Sequence, residues 1–260
     1  MPKFVPSNRK LGAKIPALAL TSKTGLVFIL DRRTGKPLYD VEERPVPQSE
    51  IPGEHTWPTE PFPVKPAPLS LMTFTPDDLA KVTPEHEAFC RELFSQDGGM
   101  SFGDPFNPYG LKTTINFPGT PGAPVACTGE YAWRVPLGVV EELEAKGIKN
   151  TGTMNMGGSV STAGGLVFIA ATNDRRFRAF EAKTGKVVWE TQLESGGYAS
   201  PITYQGKDGK QYVLIVATGG GYYDRKPGDS VIAFALPWRL VLKELLGMGR
   251  DLYWRSACVA

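Results

Sequence analysis

The chain has 260 residues, of which 29 are glycine and 23 are proline. Because both residues favour turns and interrupt helices, their high combined share predicts an all-β protein with many short strands. The net charge is only +2 and the charges are scattered, which excludes the basic surface that binds a nucleic-acid backbone. The apolar runs 26–30 and 166–171 are far shorter than a membrane-spanning helix of roughly 20 residues, and we expect no signal or transmembrane segment in this chain.

Cysteine and histidine are few. The chain contains Cys90, Cys127, Cys258, His55 and His86. Their spacing matches no zinc-binding motif, so we assign no metal ligand. The odd number of cysteines leaves at least one free thiol, and we interpret these cysteines as buried or incidental.

The first half of the chain begins with two strand patterns, 14–20 and 25–31, which predict a hairpin with its turn at 21–24. Residues 37–68 contain nine prolines, so we expect a long loop there without a regular strand ladder. The pattern from 77 to 94 follows Thr75-Pro76 and contains a second Thr-Pro pair at 83–84, which predicts one or two short helices.

The second half returns to short strands. The apolar runs 166–171 and 212–217 are bounded by glycine and aspartate or asparagine, which predicts strands buried on both faces. A further strand is predicted at 231–236. The acidic segment 141–146 is typical of a short exposed helix rather than of a carboxylate pair for acid-base catalysis.

An internal repeat carries the most information about the fold. The pattern Thr-Gly-(Lys/Glu)-x-x-(Trp/Tyr) occurs three times, at 34–39, 128–133 and 184–189. The Thr-Gly pair makes a turn between two outer strands, and the final aromatic packs into the neighbouring unit because one small sheet cannot bury both faces alone. Such repeated four-stranded sheets favour a β-propeller.

A second similarity concerns Asp-Arg-Arg, which occurs at 31–33 and again at 174–176. Either copy could form an anion site. We interpret both as surface turns in equivalent repeats.

The segment Ala-Phe-Glu-Ala-Lys-Thr-Gly-Lys-Val-Val-Trp at 179–189 resembles the tryptophan-docking motif of quinoprotein propellers. These are eight-bladed dehydrogenases that hold pyrroloquinoline quinone (PQQ) on the propeller axis. Further blocks are similar to the membrane-bound glucose and quinate dehydrogenases, namely 23–35, 43–48, 58–62, 157–168, 170–174 and 228–237.

The resemblance covers residues 14–119 and 128–237. It implies that residues 1–237 form part of a PQQ-type β-propeller, with a proline-rich and helical excursion at 37–113. Residues 238–260 do not resemble the family, and we interpret them as an added tail.

The resemblance implies PQQ as the cofactor and two residues that contact it. Lys23 matches the family lysine that reaches the quinone, where a cation polarises the reactive carbonyl. Asn155 precedes the strand expected to face the axis, where Gly157 and Gly158 would let the backbone approach a planar ring. The alternatives are a lysine and an asparagine in ordinary turns. Gly221 replaces a histidine that relatives often carry, so that contact is absent.

The implied reaction is the oxidation of a sugar or polyol of the glucose or quinate type, with electron transfer to ubiquinone at the periplasmic face of the inner membrane. We expect the family's calcium or magnesium ligands and its general base to lie outside this chain, and a further family segment to be missing after Gly119. We therefore expect an incomplete C-terminal portion, whose open strand edges promote chain association. The alternatives are a non-catalytic propeller scaffold and an inactive gene remnant.

Overall fold

The computed structural model describes residues 3–10, 13–22, 24–69, 72–73, 75–79, 81–96, 106–108, 110, 129–220 and 226–235. Our expectations for Lys23, Gly221, Cys127, Cys258 and the tail 238–260 concern residues outside this set. The chain divides into two compact units, Met1–Ala132 and Trp133–Ala260.

Strand is the main regular secondary structure among the described residues, which confirms the all-β prediction. The strands are β1 (Lys3–Lys10), β2 (Ala13–Thr21), β3 (Val27–Asp31), β4 (Val41–Pro45), β5 (Thr59–Pro63), β6 (Ser159–Ser161), β7 (Leu166–Ile169), β8 (Arg176–Glu181), β9 (Val187–Gln192), β10 (Ile202–Gln205), β11 (Gln211–Gly219) and β12 (Pro227–Ala235). The helices are a 3-10 turn (Pro76–Asp78), α1 (Pro84–Ser95) and α2 (Glu141–Glu144).

The first unit contains an antiparallel sheet in the order β1-β2-β3. Strands β2 and β3 pair from Ala17 opposite Asp31 to Thr21 opposite Val27, which confirms the predicted hairpin. Alternate residues of both strands, together with Leu38 and Leu69, form a small buried core. The period of two places these apolar side chains on one face of the sheet.

The proline-rich segment contains a regular ladder, so the expectation of a loop without one is wrong. Strands β4 and β5 pair over five positions, with Val41 opposite Pro63 and Pro45 opposite Thr59. Just beyond the two strands, the amide of Val64 donates to Asp40 at 2.8 Å and the amide of Val46 donates to Pro58 at 3.1 Å.

The register explains why proline is tolerated in this ladder. In an antiparallel pair, hydrogen-bonded positions alternate with positions whose N–H groups point away from the partner strand. Counting in steps of two from the bond between Val64 and Asp40 places Pro63, Pro61 and Pro45 at the outward positions. The density of prolines was therefore misleading, because the three prolines within the paired strands remove no ladder donor.

The predicted helical region is confirmed by the 3-10 turn and α1. Helix α1 begins after Thr83, whose side-chain oxygen accepts a hydrogen bond from the amide of His86 at 3.2 Å, and Pro84 occupies the first turn. Both features favour helix initiation at this point. The acidic segment also forms the short helix α2, as predicted.

The second unit contains a four-stranded sheet, β6-β7-β8-β9, and a three-stranded sheet, β10-β11-β12. Both are antiparallel. Their shared core includes Phe168 and Phe177 from the first sheet and Val213, Ile215 and Phe234 from the second. Strand β11 buries alternate residues most deeply, so it is less evenly covered on its two faces than the sequence suggested.

Two of the Thr-Gly repeats form the same turn. In the first, the amide of Gly35 donates to Asp31 at 2.8 Å, and in the third the amide of Gly185 donates to Glu181 at 2.9 Å. The two glycines have φ values of +71° and +72°, which only glycine adopts without strain. The repeat is therefore structural and not merely a sequence coincidence.

The final aromatic of one repeat packs on the glycine of the next repeat. The ring of Trp133 covers Gly185, where a Cβ atom would lie 2.5 Å from the indole. The indole Nε1 donates to the carbonyl of Ala182 at 2.9 Å, and the ring stacks on Phe180. In the first unit, Tyr39 covers Gly129 in the same way. The expectation that these aromatics pack into a neighbouring repeat is confirmed.

We predict that Gly185→Ala destabilises the protein more than Gly165→Ala does. Both glycines have positive φ, so each alanine costs about 1–2 kcal/mol of backbone strain. A Cβ atom at Gly165 meets nothing within 4 Å, whereas one at Gly185 collides with Trp133 and adds about 1–3 kcal/mol. Chemical denaturation of both variants measures the difference. Equal losses would show that the packing of Trp133 on Gly185 contributes nothing beyond backbone strain.

Candidate cofactor site

The two residues that the sequence assigns to the cofactor belong to different units of the chain. Lys23, which stands between Ser22 and Thr24 in the sequence, lies outside the described residues. Asn155 is exposed in the segment that precedes β6. The geometry that follows therefore concerns the segment around Asn155, which we call the 154–158 loop.

Backbone contacts fix the 154–158 loop against the end of strand β7. Asn155 forms an isolated antiparallel bridge with Thr172, and the amide of Met156 donates to the carbonyl of Ala171 at 2.7 Å. Ala171 is buried and has a φ of +59°, which is uncommon for a residue with a side chain. Its own amide donates to Gly197 at 2.9 Å. Strain of this kind persists only where the surroundings enforce it, and it often marks a functional site.

The glycines of the loop approach the protein's own chain. A Cβ atom at Gly157 would lie 2.7 Å from the carbonyl oxygen of Tyr198, and one at Gly158 would collide with Ser200. The missing side chains therefore allow the loop to lie against the segment between β9 and β10. The sequence suggested that these glycines let the backbone approach a planar ring. In the structure, the space left by their missing Cβ atoms is taken by Tyr198 and Ser200 of the protein itself.

A buried carboxylate lies directly behind the loop. The Asp174 side chain is fully buried and forms an ion pair with Arg178 at 2.5 Å. Its oxygens also accept hydrogen bonds from Thr172 at 2.6 Å and from the amide of Val139 at 2.9 Å. Burial by itself raises the pKa of the Asp174 carboxyl, but the hydrogen bonds from Arg178 and Thr172 outweigh it and lower the pKa below its ordinary value.

This position corrects the interpretation of Asp174 as a surface turn. Asp174 lies between β7 and β8, whereas Asp31 occupies the Thr-Gly turn, where Glu181 is its counterpart. The two Asp-Arg-Arg segments are therefore not equivalent. Asp31 instead pairs with Arg33 at 2.8 Å, and the hydrogen bonds from Arg33 lower the pKa of the Asp31 carboxyl to about 2.

The ion pair of Asp174 continues into a wider network. Arg178 also pairs with Glu190 through its Nε atom at 2.6 Å. Arg176 pairs with Glu144 at 2.6 Å, and this bond lowers the pKa of the Glu144 carboxyl. The charges of β8 are thus neutralised by carboxylates from β7–β8, β9 and α2, which ties these elements together behind the loop.

The exposed surface of the loop combines an amide with two thioethers. Met154 and Met156 are each about half exposed and lie on either side of Asn155. Methionine sulfur makes favourable contacts with aromatic rings, and an amide can both donate and accept hydrogen bonds. An amide and a thioether are both groups that can contact a planar, oxygen-rich cofactor such as PQQ. They supply no positive charge; the sequence suggests Lys23 as the cation that polarises the reactive carbonyl of PQQ.

Neither a metal centre nor a membrane helix is found in the part of the chain that the structure describes. Within it, no group of three or more histidine, cysteine, aspartate or glutamate side chains could hold a metal ion. No helix there is long and apolar enough to cross a bilayer.

Sequence reasoning missed the network behind the loop. The buried apolar run 166–171 is followed by three polar residues, Thr172, Asp174 and Arg178. This polar cluster beside a core strand is the sequence signal that indicates the network. Buried polar groups need partners, so a polar cluster next to a core strand predicts a hydrogen-bonded network.

The chain belongs to the PQQ β-propeller family. The family model described as the glucose/ethanol/alcohol dehydrogenase β-propeller domain matches residues 2–126 and 125–213. The two matched parts meet beside the place where the sequence suggests a missing segment, after Gly119. The tryptophan docking and the antiparallel sheets agree with this assignment.

Three relatives illustrate the range of the family. A probable quinate dehydrogenase (quinone) from Xanthomonas campestris pv. juglandis is 30% identical, over 91% of this chain and 41% of its own length. The glycerol dehydrogenase large subunit of Gluconobacter thailandicus is 30% identical, over 87% of this chain and 43% of its own length. Quinoprotein glucose dehydrogenase A of Acinetobacter calcoaceticus is 29% identical, over 91% of this chain and 40% of its own length.

The chain spans about two fifths of the length of these relatives. The alignment with the quinate dehydrogenase is 323 residues long, which exceeds the 260 residues of this chain. The relative therefore carries residues inside the matched region that have no counterpart here, in agreement with the expected missing segment.

We predict that Arg178→Met destabilises the protein by about 3–5 kcal/mol, because it leaves a buried carboxylate without its charged partner. Lys210→Met, which breaks the exposed pair with Asp208, should cost far less, because solvent screens that pair. Urea denaturation at pH 7 checks both effects.

The effect of Arg178→Met should depend on pH. The pKa of Asp174 is lower in the folded protein than the ordinary value of 3.8, so its stabilising effect is complete above pH 3.8. It disappears as the pH falls through the lowered folded pKa. The difference in the free energy of unfolding between Arg178→Met and the parent should therefore become smaller in acid. A constant difference down to pH 2 would contradict an ionised Asp174.

Proposed function

We propose that this chain is part of a PQQ-dependent dehydrogenase that oxidises an alcohol group of a sugar or polyol. The observation that carries this proposal is the match of the family model to most of the chain. The names of the relatives add quinate, glycerol and glucose as substrates of those proteins. Substrates of this chemical class carry several hydroxyl groups, one of which is oxidised to a carbonyl.

The residues of this chain would hold the cofactor and orient it. Bound PQQ supplies the two-electron acceptor, and a calcium or magnesium ion supplies Lewis acidity. Lys23 would place its ammonium group near the reactive carbonyl and stabilise negative charge there. Asn155 would hydrogen-bond the ring system, and Met156 would contact its face. The Asp174 network would act indirectly, because it keeps the 154–158 loop in place through Thr172 and Ala171.

We also propose the cellular setting that the family resemblance implies. Electrons would pass to ubiquinone, and the protein would act at the periplasmic face of the inner membrane. The names of two relatives specify a quinone as their acceptor, which supports the first part.

Open strand edges make chain association a further part of this proposal. Among the strands that the structure describes, β10 and β12 form the two edges of their sheet; β10 exposes Ile202 and Tyr204, and β12 exposes Val231. Unpaired backbone groups beside exposed apolar side chains favour pairing with another chain.

We expect the chain to bind PQQ with a saturable change in the cofactor's absorbance. Lys23→Ala should weaken binding by roughly 10-fold to 100-fold, the loss expected for a hydrogen bond to a charged group. Lys186→Ala removes an exposed lysine from a Thr-Gly turn and serves as the matched control, with an unchanged dissociation constant. Asn155→Ala should weaken binding by roughly threefold to tenfold.

A linear absorbance change without saturation would reject the cofactor site. Equal affinity of Lys23→Ala and Lys186→Ala would reject the role of Lys23 while leaving cofactor binding intact.

We expect no turnover of glucose by the 260-residue chain alone, even with added PQQ and calcium. The chain spans about two fifths of the relatives that carry this activity in their names, and no metal-ligand group of three is found among its described residues. A dye-linked assay with glucose and quinate tests this expectation. Activity that disappears in Lys23→Ala would show instead that the chain is catalytically sufficient.

The second candidate is a non-catalytic scaffold that uses the same docking tryptophans. The packing of Trp133 on Gly185 supports this candidate, because that contact forms without a cofactor. The PQQ titration separates the two candidates, because a scaffold gives no saturable change.

A further inference from the structure

Helix α1 brings together the only two types of side chain in its sequence that bind soft metal ions. His86 and Cys90 are four residues apart, so they lie on the same face of the helix. The Cys90 Sγ atom lies 3.6 Å from the His86 Nε2 atom. The spacing of histidine and cysteine in the sequence matches no motif with four ligands, so the pair becomes visible only in the helix.

The separation of these two atoms matches the bite of a tetrahedral metal ion. Zinc binds sulfur at about 2.3 Å and imidazole nitrogen at about 2.0–2.1 Å, so a tetrahedral angle sets the sulfur–nitrogen distance at about 3.6 Å. A metal ion could therefore bind both atoms without a change of helix geometry. Two ligands on successive turns of one helix are also the arrangement used in helical zinc motifs.

We propose that Cys90 and His86 form a two-point binding site for a thiophilic divalent ion such as Zn²⁺. The remaining two coordination positions are taken by water. Sulfur and imidazole ligands select zinc or cadmium over calcium and magnesium, which prefer oxygen. The site is thus distinct in chemistry from the calcium or magnesium ion that the family resemblance implies.

The pair is accessible to solvent ions, and its surroundings attract cations. His86 is exposed, Cys90 is half-buried, and no residue of α1 is buried. The helix also carries three glutamates against one arginine, namely Glu85, Glu87, Glu92 and Arg91. The local charge is therefore negative, which raises the concentration of cations near the site.

The helix holds the two ligands in register before any ion binds. The Thr83 cap fixes the first turn at His86, and Glu87 pairs with Arg91 at 2.8 Å on an adjacent face. A site that is already formed loses little conformational entropy on binding.

Binding requires the thiolate and the neutral imidazole. The Cys90 thiol releases its proton to solvent as the sulfur–metal bond forms, and the His86 Nε2 atom donates its lone pair while the ring proton stays on Nδ1. No electrons are transferred. Metal uptake should therefore release about one proton per ion near neutral pH.

The test uses the full chain with Cys127→Ser and Cys258→Ser, so that Cys90 is the single thiol. Cd²⁺ serves as the probe because cadmium thiolates absorb in the ultraviolet, and Zn²⁺ is measured by competition. We expect a saturable band with one ion per chain. His86→Gln should weaken Cd²⁺ binding at least tenfold, whereas the matched control Glu92→Gln, on the same exposed helix, should change it less than threefold.

Two further measurements keep the proposal falsifiable if a variant folds poorly. Zn²⁺ should slow alkylation of Cys90 by iodoacetamide in the parent chain, and a chelator should restore the rate. Proton release on metal addition should be lost in Cys90→Ser.

Equal Cd²⁺ affinity in His86→Gln and the parent would overturn the site, because the thiol would then act alone. Displacement of Cd²⁺ by millimolar Ca²⁺ or Mg²⁺ would overturn its assigned selectivity. None of these readouts depends on PQQ, so the site and the proposed function can fail independently.

Discussion

The structure depends on the packing of an aromatic side chain against a glycine of the next repeat. A small antiparallel sheet has two faces and cannot bury both by itself, so it is stable only where another element covers it. Trp133 provides such cover at Gly185, and Tyr39 does so at Gly129. The contact needs a residue without a Cβ atom, and the turn needs one with positive φ. Glycine satisfies both requirements at one position, which is why Thr-Gly recurs with an aromatic residue four positions after the glycine in each repeat.

The candidate cofactor loop is held by a different kind of interaction. Its backbone is tied to Ala171 and Thr172, and Thr172 in turn contacts Asp174. A buried carboxylate is costly unless every oxygen is paired, so this network adopts a single arrangement or destabilises the fold. The apolar core determines where the sheets lie, while the Asp174 network determines where the loop lies. The strained backbone of Ala171 is the point at which these two requirements meet.

The sequence predicted the features that depend on local pattern and failed where spatial neighbours decide. The hairpin of β2 and β3, the helix α1 and the Thr-Gly turns follow from periodicity and turn residues. The β4–β5 ladder was missed because counting prolines ignores register. The two Asp-Arg-Arg segments look alike, yet Asp31 follows a turn rule whereas Asp174 is buried by elements 35 residues away, as its bond to Val139 shows. Tertiary contacts of this range leave no periodic trace in a sequence.

Binding and turnover place different demands on this chain. A planar cofactor can be contacted by a single loop, and the 154–158 loop is held by backbone contacts within the second unit. Turnover requires a base, a metal ion and a substrate pocket held in mutual alignment, and small errors in that alignment reduce rates strongly. A chain that spans two fifths of its relatives can therefore retain the first property without the second. Because the residues around Asn155 are held by their own network, cofactor affinity should be judged separately from catalysis.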